Sequence, residues 1–446
     1  MVLDSQRPFY VLRNSARKLN CGKIRPVSKF IIEGGRKLKG QIRVAGHKNS
    51  ALKLIPAALL GVSSSTLNNV PHIRDVGVMV EIIKKLGVGV KESGQGSLTI
   101  DPTGLSSYEP DPDLSTRIRA SVVLAAPLLA KFGKAIITPP GGDQIGERLM
   151  DTHFSMMKDM GIEIERKDGK YFLEWKKRKG TNIFLEEAST TATEMGLMLA
   201  SSLNEKTHIE DAAAEPHVAD LAVFLKKMGA NITGAGTNDQ YVEGRNKLVG
   251  AVHSIIPDYI EGGTFAIAAA ITGGNVIIED FVPEHYQMTL YYLKNMGVDY
   301  KVLGERKLEI LPSKLVAKKR KFQTRLWPGF PTDLMSPFIV LATQTDGTIL
   351  CHDWMYEWRM FFVDDLISMG ANIFIADPHR VIVTGPTKLM GDIVYSKDIR
   401  AGMSLILAAL AADGRSVIDN IEMVERGYEN LDGRLGNLGA RIKRTE

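Results

Sequence analysis

Lys48, Arg119, Thr193, Glu261, Asp333 and Arg400 each stand at the opening of a short, alanine-rich apolar segment, where an ordinary core would carry nothing charged. The six segments read KNSALKLIPAALLG, RASVVLAAPLLAKFG, TATEMGLMLASSLN, GGTFAIAAAITGG, TDLMSPFIVLATQTDG and RAGMSLILAALAADG. The unpaired N–H groups and the dipole of a helix's first turn attract phosphate and carboxylate groups. Lys48, Arg119 and Arg400 add full positive charge to such a face. One residue of this kind alone reads as a cap or a solvated side chain. Six at equivalent points of a recurring unit read as the lining of an anion site.

Bringing six helix openings together demands a repeated scaffold. A helix ending in Leu or Met, then Gly, then a short strand recurs about every 70 residues. The six places are Leu86-Gly87-Val88, Met160-Gly161-Ile162, Met228-Gly229-Ala230, Met296-Gly297-Val298, Met369-Gly370-Ala371 and Leu438-Gly439-Ala440. Runs such as LAVFLKKMGANI and FFVDDLISMGANI have the amphipathic spacing of an outer helix, with Gly where a C-terminal cap needs positive φ. The alanine-rich segments lack a polar face, so they are predicted as helices enclosed by protein. Each unit thus carries a buried helix, an amphipathic helix and strands around them.

At 446 residues the chain is long enough for two or three cores. Six units divide most simply into two domains of three, with crossings near Lys48 and near Pro257-Asp258. The expected boundaries are residues 49–256 for the first domain and 29–48 plus 257–446 for the second. Strand FIIEGGRKLKGQIRVAG completes the second. Residues 1–28 form a basic extension, with six Lys and Arg against the single acid Asp4; this arginine-rich, acid-poor make-up is shared with organellar transit peptides.

Composition narrows the function class. Hydrophobic residues at 44% and charged residues at 24% fit a globular protein, and no apolar run approaches a membrane span. A net charge of +5 permits a basic cleft without arguing for nucleic acid. Two cysteines, Cys21 and Cys351, exclude a disulfide framework. The nine histidines show no metal-ligand spacing, and TGAGTN lacks the setting of a dinucleotide fingerprint. The run Lys318-Lys319-Arg320-Lys321 reads as a solvated loop.

GHKNSAL, RASVVLAAPLLAKFG, PPGGDQIGERLMD, PDYIEGGTFAIAAAI, PGFPTD, EWRM, DIRAG and ERGYENLDGRLGNLGA, in this order, resemble the UDP-N-acetylglucosamine 1-carboxyvinyltransferases. The resemblance runs from about Phe30 to the C-terminus. It implies an α/β fold of two inside-out α/β barrel domains, three repeats of about 70 residues each. The implied activity is enolpyruvyl transfer from phosphoenolpyruvate to the 3'-hydroxyl of UDP-N-acetylglucosamine, with release of phosphate, at the first committed step of peptidoglycan precursor synthesis. It implies a cytoplasmic enzyme, expected as a monomer, with no cofactor, no metal, and no nucleic-acid or membrane partner.

Carried over motif by motif, Lys48 and Asn49 match the pair that contacts phosphoenolpyruvate. Arg119, Arg148, Arg359, Arg400 and Arg426 match the arginines around the anionic groups, where a guanidinium donates paired hydrogen bonds. Asp333 matches the carboxylate that accepts a hydrogen bond from the sugar hydroxyl and acts as its base. Asp143 stands at the proton donor's place in the loop, so Lys48, Asp143, Asp333 and Arg426 form the expected catalytic set. The nucleotide side falls on Arg148, Leu149, Met150, Asp151 and Thr152, on Ser189 and Thr191, and on Met355. Two glycines and two prolines before Asp143 predict a loop that moves.

Four departures qualify the match. The family's usual loop cysteine is Asp143 here, as in some members. A carboxylic acid donates a proton there only where burial or nearby negative charge, such as bound substrate, favours its protonated form. The epoxide fosfomycin alkylates that cysteine thiolate, so resistance is expected. The usual Arg-Pro-Val-Asp-Leu-His is Arg148-Leu149-Met150-Asp151-Thr152-His153, and the usual Ser-Val-Gly-Ala-Thr is Ser189-Thr190-Thr191-Ala192-Thr193. His217 replaces a Glu after Glu215-Pro216. Another nucleotide-sugar acceptor, or a non-catalytic nucleotide-sugar-binding paralogue, therefore stays open. Enolpyruvylshikimate-phosphate synthase is disfavoured because its Ser-Lys-Ser is absent, and no nucleotidylated-histidine signature points to RNA 3'-phosphate cyclase.

Overall fold

The computed structural model describes residues 28–94, 96–143 and 145–445. The basic extension before Ser28, with Cys21, lies outside the described residues. Among the described residues, twelve α-helices of six or more residues alternate between two environments. In the first half these are α1 (Lys48–Ala57), α2 (Arg74–Lys85), α3 (Ala125–Phe132), α4 (Asp151–Asp159), α5 (Thr190–Ser201) and α6 (Pro216–Met228). In the second they are α7 (Tyr259–Ile271), α8 (Gln287–Asn295), α9 (Met335–Thr343), α10 (Val363–Ser368), α11 (Ile399–Ala411) and α12 (Leu431–Asn437).

The odd-numbered helices are the six alanine-rich segments. In α7 every residue from Tyr259 to Ala270 is buried. Small residues there permit close approach: a Cβ on Gly262 would run into the Tyr286 hydroxyl. The even-numbered helices are amphipathic; α2 buries Val76, Met79, Val80, Ile82 and Ile83 and leaves Lys84 and Lys85 exposed. The repeat glycines Gly87, Gly161, Gly229, Gly297, Gly370 and Gly439 all have positive φ, which ends each outer helix in a left-handed turn. The strand expected after each glycine is present.

Two of the inner segments open differently from the rest. A 3-10 turn, Arg119–Leu124, leads into α3, and another, Thr332–Leu334, leads into α9. Both helices carry a proline as third residue, Pro127 and Pro337. Proline has no N–H and its ring crowds the carbonyl four residues back, so it sits most easily in a first turn, which is where both of these prolines lie.

Six sheets surround the helices, four-stranded except for one of three strands. In the four-stranded ones the strand that precedes an inner helix lies at an edge, in a parallel pair, and the other pairings are antiparallel. In the three-stranded sheet that edge is reduced to one hydrogen bond, from Ile136 N–H to Tyr108 O at 3.1 Å.

Buried apolar side chains form two clusters. One runs from Ala51 to Ile255; the other joins Phe30 through Val44 to Tyr259 through Leu438. The chain passes between them at two places that lie side by side. His47 N–H donates to Ile256 O at 2.8 Å and Asp258 N–H to Ala45 O at 2.9 Å. The edge strands are exchanged there. Lys39–Arg43 pairs with Asn275–Glu279, and Val252–Ser254 pairs with Ser65–Asn68. The N-terminal strand Lys29–Glu33 lies between Arg415–Asp419 and Arg441–Thr445, filling the place that the unit's own third strand takes elsewhere.

Candidate active site

The amino ends of all six inner helices face one cleft between the two clusters. Its lining includes Lys48 and Asn49 of α1, Arg119 before α3, Thr190 and Thr191 of α5, Tyr259 and Ile260 of α7, Asp333 before α9, and Ile399 and Arg400 of α11. Side chains cap four of these ends: His47 accepts from Asn49 N–H at 3.1 Å, Ser189 from Ala192 N–H at 3.4 Å, Asp258 from Ile260 N–H at 2.9 Å, and Asp398 from Arg400 N–H at 2.8 Å. Eight cationic side chains line the cleft against the four carboxylates of Asp75, Asp143, Glu215 and Asp333, so the cleft attracts anions.

On one side a chain of ions crosses between the clusters. Asp75, at the start of α2, takes Lys48 Nζ at 2.9 Å and Arg426 Nε at 2.8 Å. Arg426 Nη1 in turn reaches Asp143 Oδ1 at 2.5 Å. Burial would raise the Asp75 carboxyl, but Lys48 and Arg426 outweigh it and hold it below its ordinary range. Asp143 Oδ1 accepts from Arg426, a guanidinium that an arriving anion would have to share.

Across the cleft, Asp333 receives Arg400 Nη2 at 2.8 Å and Arg359 Nη2 at 3.1 Å. Burial pushes this carboxyl up, yet Arg400 and Arg359 together hold it far below the carboxylate range. Arg400 Nη1 also donates to the Tyr428 hydroxyl at 3.1 Å, which fixes the guanidinium plane.

Among the described residues, Arg119 donates only to main-chain oxygens, of Arg148 at 2.6 Å and Leu149 at 3.3 Å. Burial, with Arg148 beside it, lowers Arg119 to about 10. Two cations held together in this way suit a phosphate group. The two segments expected on the nucleotide side meet beside them: His153 and Thr191 share a hydrogen bond of 2.7 Å. Burial and the two arginines lower His153 to about 4, so its ring is neutral.

Residues 138–150 carry Asp143 and form neither helix nor strand where described. This segment leaves the first cluster and rests on the second. Glu147 N–H donates to Glu357 Oε1 at 2.9 Å, and Trp358 N–H donates to Ile145 O at 3.1 Å. Gly146 has φ +137 and passes so close to Glu357 that a Cβ would collide with the carboxylate.

Of the expected residues, Lys48, Asn49, Arg119, Asp143, Arg148, Thr191, Asp333, Met355, Arg359, Arg400 and Arg426 line the cleft. Leu149, Met150, Asp151, Thr152 and Ser189 do not. Leu149 is exposed and lends its carbonyl to Arg119, Met150 to Thr152 start α4, and Ser189 caps α5. Two helix-opening residues prove to be scaffold. Glu261 pairs with Arg434 at 2.5 Å, and the Thr193 hydroxyl ties Ser189 O to Ala213 N–H. Asp75 was missed because IRDVG looks like any capped outer helix; the signal was the want of a counter-ion for Lys48 and Arg426. Among the described residues no cluster of three His, Cys, Asp or Glu is placed to hold a metal, and no helix is long and apolar enough to cross a membrane.

The family model described as EPSP synthase (3-phosphoshikimate 1-carboxyvinyltransferase) matches residues 32–435. The UDP-N-acetylglucosamine 1-carboxyvinyltransferase of Bradyrhizobium diazoefficiens is 43% identical over 426 residues, covering 93% of this chain and 98% of that protein. The one from Treponema denticola is 41% identical, covering 94% and 99%. Among solved structures, the enolpyruvyl transferase NikO from Streptomyces tendae superposes with a TM-score of 0.84 at 24% identity, over 94% of this chain and 99% of that one. EPSP synthase from Acinetobacter baumannii gives 0.70 at 19% identity, over 94% and 100%. These last two speak for the fold.

Proposed function

This chain belongs to the enolpyruvyl transferases, among the UDP-N-acetylglucosamine 1-carboxyvinyltransferases, and from that premise we propose that it moves the enolpyruvyl group of phosphoenolpyruvate to the 3'-hydroxyl of UDP-N-acetylglucosamine. Phosphate is released. The observation that carries this reading is the shared cleft in which Asp75 joins Lys48 to Arg426, Arg426 reaches Asp143, and Asp333 stands with its two arginines.

Lys48, Asn49, Arg119 and the facing arginines hold the phosphate and carboxylate, which is positioning together with electrostatic stabilisation. As the anions engage Arg426, Asp143 takes up a proton and delivers it to C3 of the enol, leaving C2 electrophilic. The sugar hydroxyl adds to C2 while Asp333 takes its proton. Arg400 and Arg359 make Asp333 a weak base in the empty cleft; a substrate anion that shares them raises its basicity when it is needed. Loss of a C3 proton with cleavage of the C2–O bond to phosphate then completes the transfer.

In this reading the uridine end lies by Arg148, the His153–Thr191 contact and Met355. The domains are residues 49–256 and 29–48 plus 257–446. The enzyme works as a monomer in the cytoplasm and supplies peptidoglycan precursors, and so cell shape and division. Mixing the protein with phosphoenolpyruvate and UDP-N-acetylglucosamine should release phosphate and yield the enolpyruvyl ether. A protein that binds the nucleotide sugar but releases no phosphate with any acceptor refutes the reading in favour of a non-catalytic paralogue.

A further inference from the structure

Four ionisable side chains at the first-cluster wall of the cleft have no part in the steps above. Lys53 lies one turn after Asn49 on α1, Glu194 one turn after Thr190 on α5, and Glu215 and His217 at the opening of α6. Lys53 and His217 are each 4% exposed and Glu194 is fully enclosed. Lys53 Nζ stands 3.4 Å from Glu194 Oε2, and His217 Nε2 stands 3.9 Å from Glu194 Oε1. Beyond this ion pair their capacity is unmet: among the described residues, Glu194 Oε1 and Oε2, Glu215 Oε2 and His217 Nδ1 are buried without a hydrogen-bond partner. Lys53, Glu215 and His217 line the cleft itself, and His217 stacks on the cap of α1, His47, at 5.0 Å. Buried polar atoms that face a cavity and lack partners are destabilising until a ligand supplies them.

We propose that Lys53, Glu215 and His217 read an uncharged substituent of the acceptor sugar that both donates and accepts hydrogen bonds, a ring hydroxyl or the acetamido group, and so decide which nucleotide sugar is used. This rests on the transferase reading. Lys53 keeps spare N–H donors because Glu194 engages it from behind, Glu215 Oε2 supplies the acceptor, and His217 supplies a ring nitrogen. Burial raises Glu194 and Glu215 to about 7 and lowers His217 well below its ordinary value, so the group as a whole carries little charge. A charged substituent would gain nothing from it. His217 stands where the resembled family usually has Glu, so this wall offers the sugar a different set of donors and acceptors.

The test measures kcat/KM for phosphate release with UDP-N-acetylglucosamine, its 4-deoxy and 6-deoxy analogues, and UDP-2-deoxyglucose. A site built to hydrogen-bond a substituent rejects the analogue that lacks it strongly, so the parent protein should disfavour at least one by about a hundredfold or more. Lys53→Met and Glu215→Gln should each bring that ratio below about tenfold. His217→Glu, which keeps the wall polar, should change which analogue is rejected. Variants that slow every acceptor equally and keep the ratio assign these residues a structural role and overturn the proposal. Equal use of all four acceptors by the parent overturns it too, with the transferase reading intact. No release from any acceptor removes both.

Discussion

Asp143 and Asp333 both line the cleft with arginines as neighbours, and their tasks differ through what an arriving anion does to those arginines. Asp143→Ala should lower kcat between about a hundredfold and ten-thousandfold, the usual contribution of a positioned acid. Asp143→Cys should retain activity and become sensitive to fosfomycin, with the adduct visible by mass spectrometry, whereas the parent stays unmodified. Asp333→Asn should lose a similar factor while phosphoenolpyruvate binding, read by calorimetry, persists. The pair Arg400 and Arg359 keeps Asp333 ionised far into acid in the empty cleft, so its titration contributes no acid limb to the kcat/KM profile above the ordinary carboxylate range. Glu215 behaves oppositely. Its folded value is raised to about 7, so between its ordinary 4.5 and 7 the folded chain holds a proton that the unfolded chain releases. Stability from this group therefore falls as pH rises through that window. The melting temperature of Glu215→Gln relative to the parent should climb between pH 5 and pH 8.

The inner helices show why so much of the site could be read in advance. Lys48, Arg119, Asp333 and Arg400 were legible because charge at the mouth of an all-apolar helix has no place in a core, and recurrence put the mouths together. Thr193 and Glu261 obeyed the same pattern and turned out to serve packing, since a helix end may equally be closed by neighbouring main chain. The support of the loop was illegible. Nothing in EWRM says that Glu357 will receive an N–H from a segment some 210 residues earlier. That contact makes a prediction for the element. Gly146→Ala places a Cβ against the Glu357 carboxylate at a φ that side chains rarely adopt, so the loop should fail to settle. A misplaced acid then costs about a hundredfold in kcat, while the melting temperature stays unchanged.

At the scale of the molecule, the six positive-φ glycines made the architecture legible, because a left-handed helix end is a local demand that sequence states openly. The crossings near Lys48 and Pro257-Asp258 followed from counting units, but the partner that each exchanged edge strand takes was not spelled out by any residue; it depends on which sheet lacks an edge once three units have closed. Ile32 gives the corresponding test. It is fully enclosed in the strand that lies between Arg415–Asp419 and Arg441–Thr445, within the second cluster. Ile32→Ala should cost about 2–5 kcal/mol, and urea unfolding should show the second cluster's transition moving while that of the first, followed through Trp175, stays in place. That interleaved strand also bears on how the protein is made. Residues 29–33 emerge from the ribosome long before either of their neighbours exists, and the intervening three units can close meanwhile. The second half must wait for the last of its chain, so a stalled or truncated translation product would leave a strand with two bare edges, the kind of intermediate that chaperones are recruited to shield.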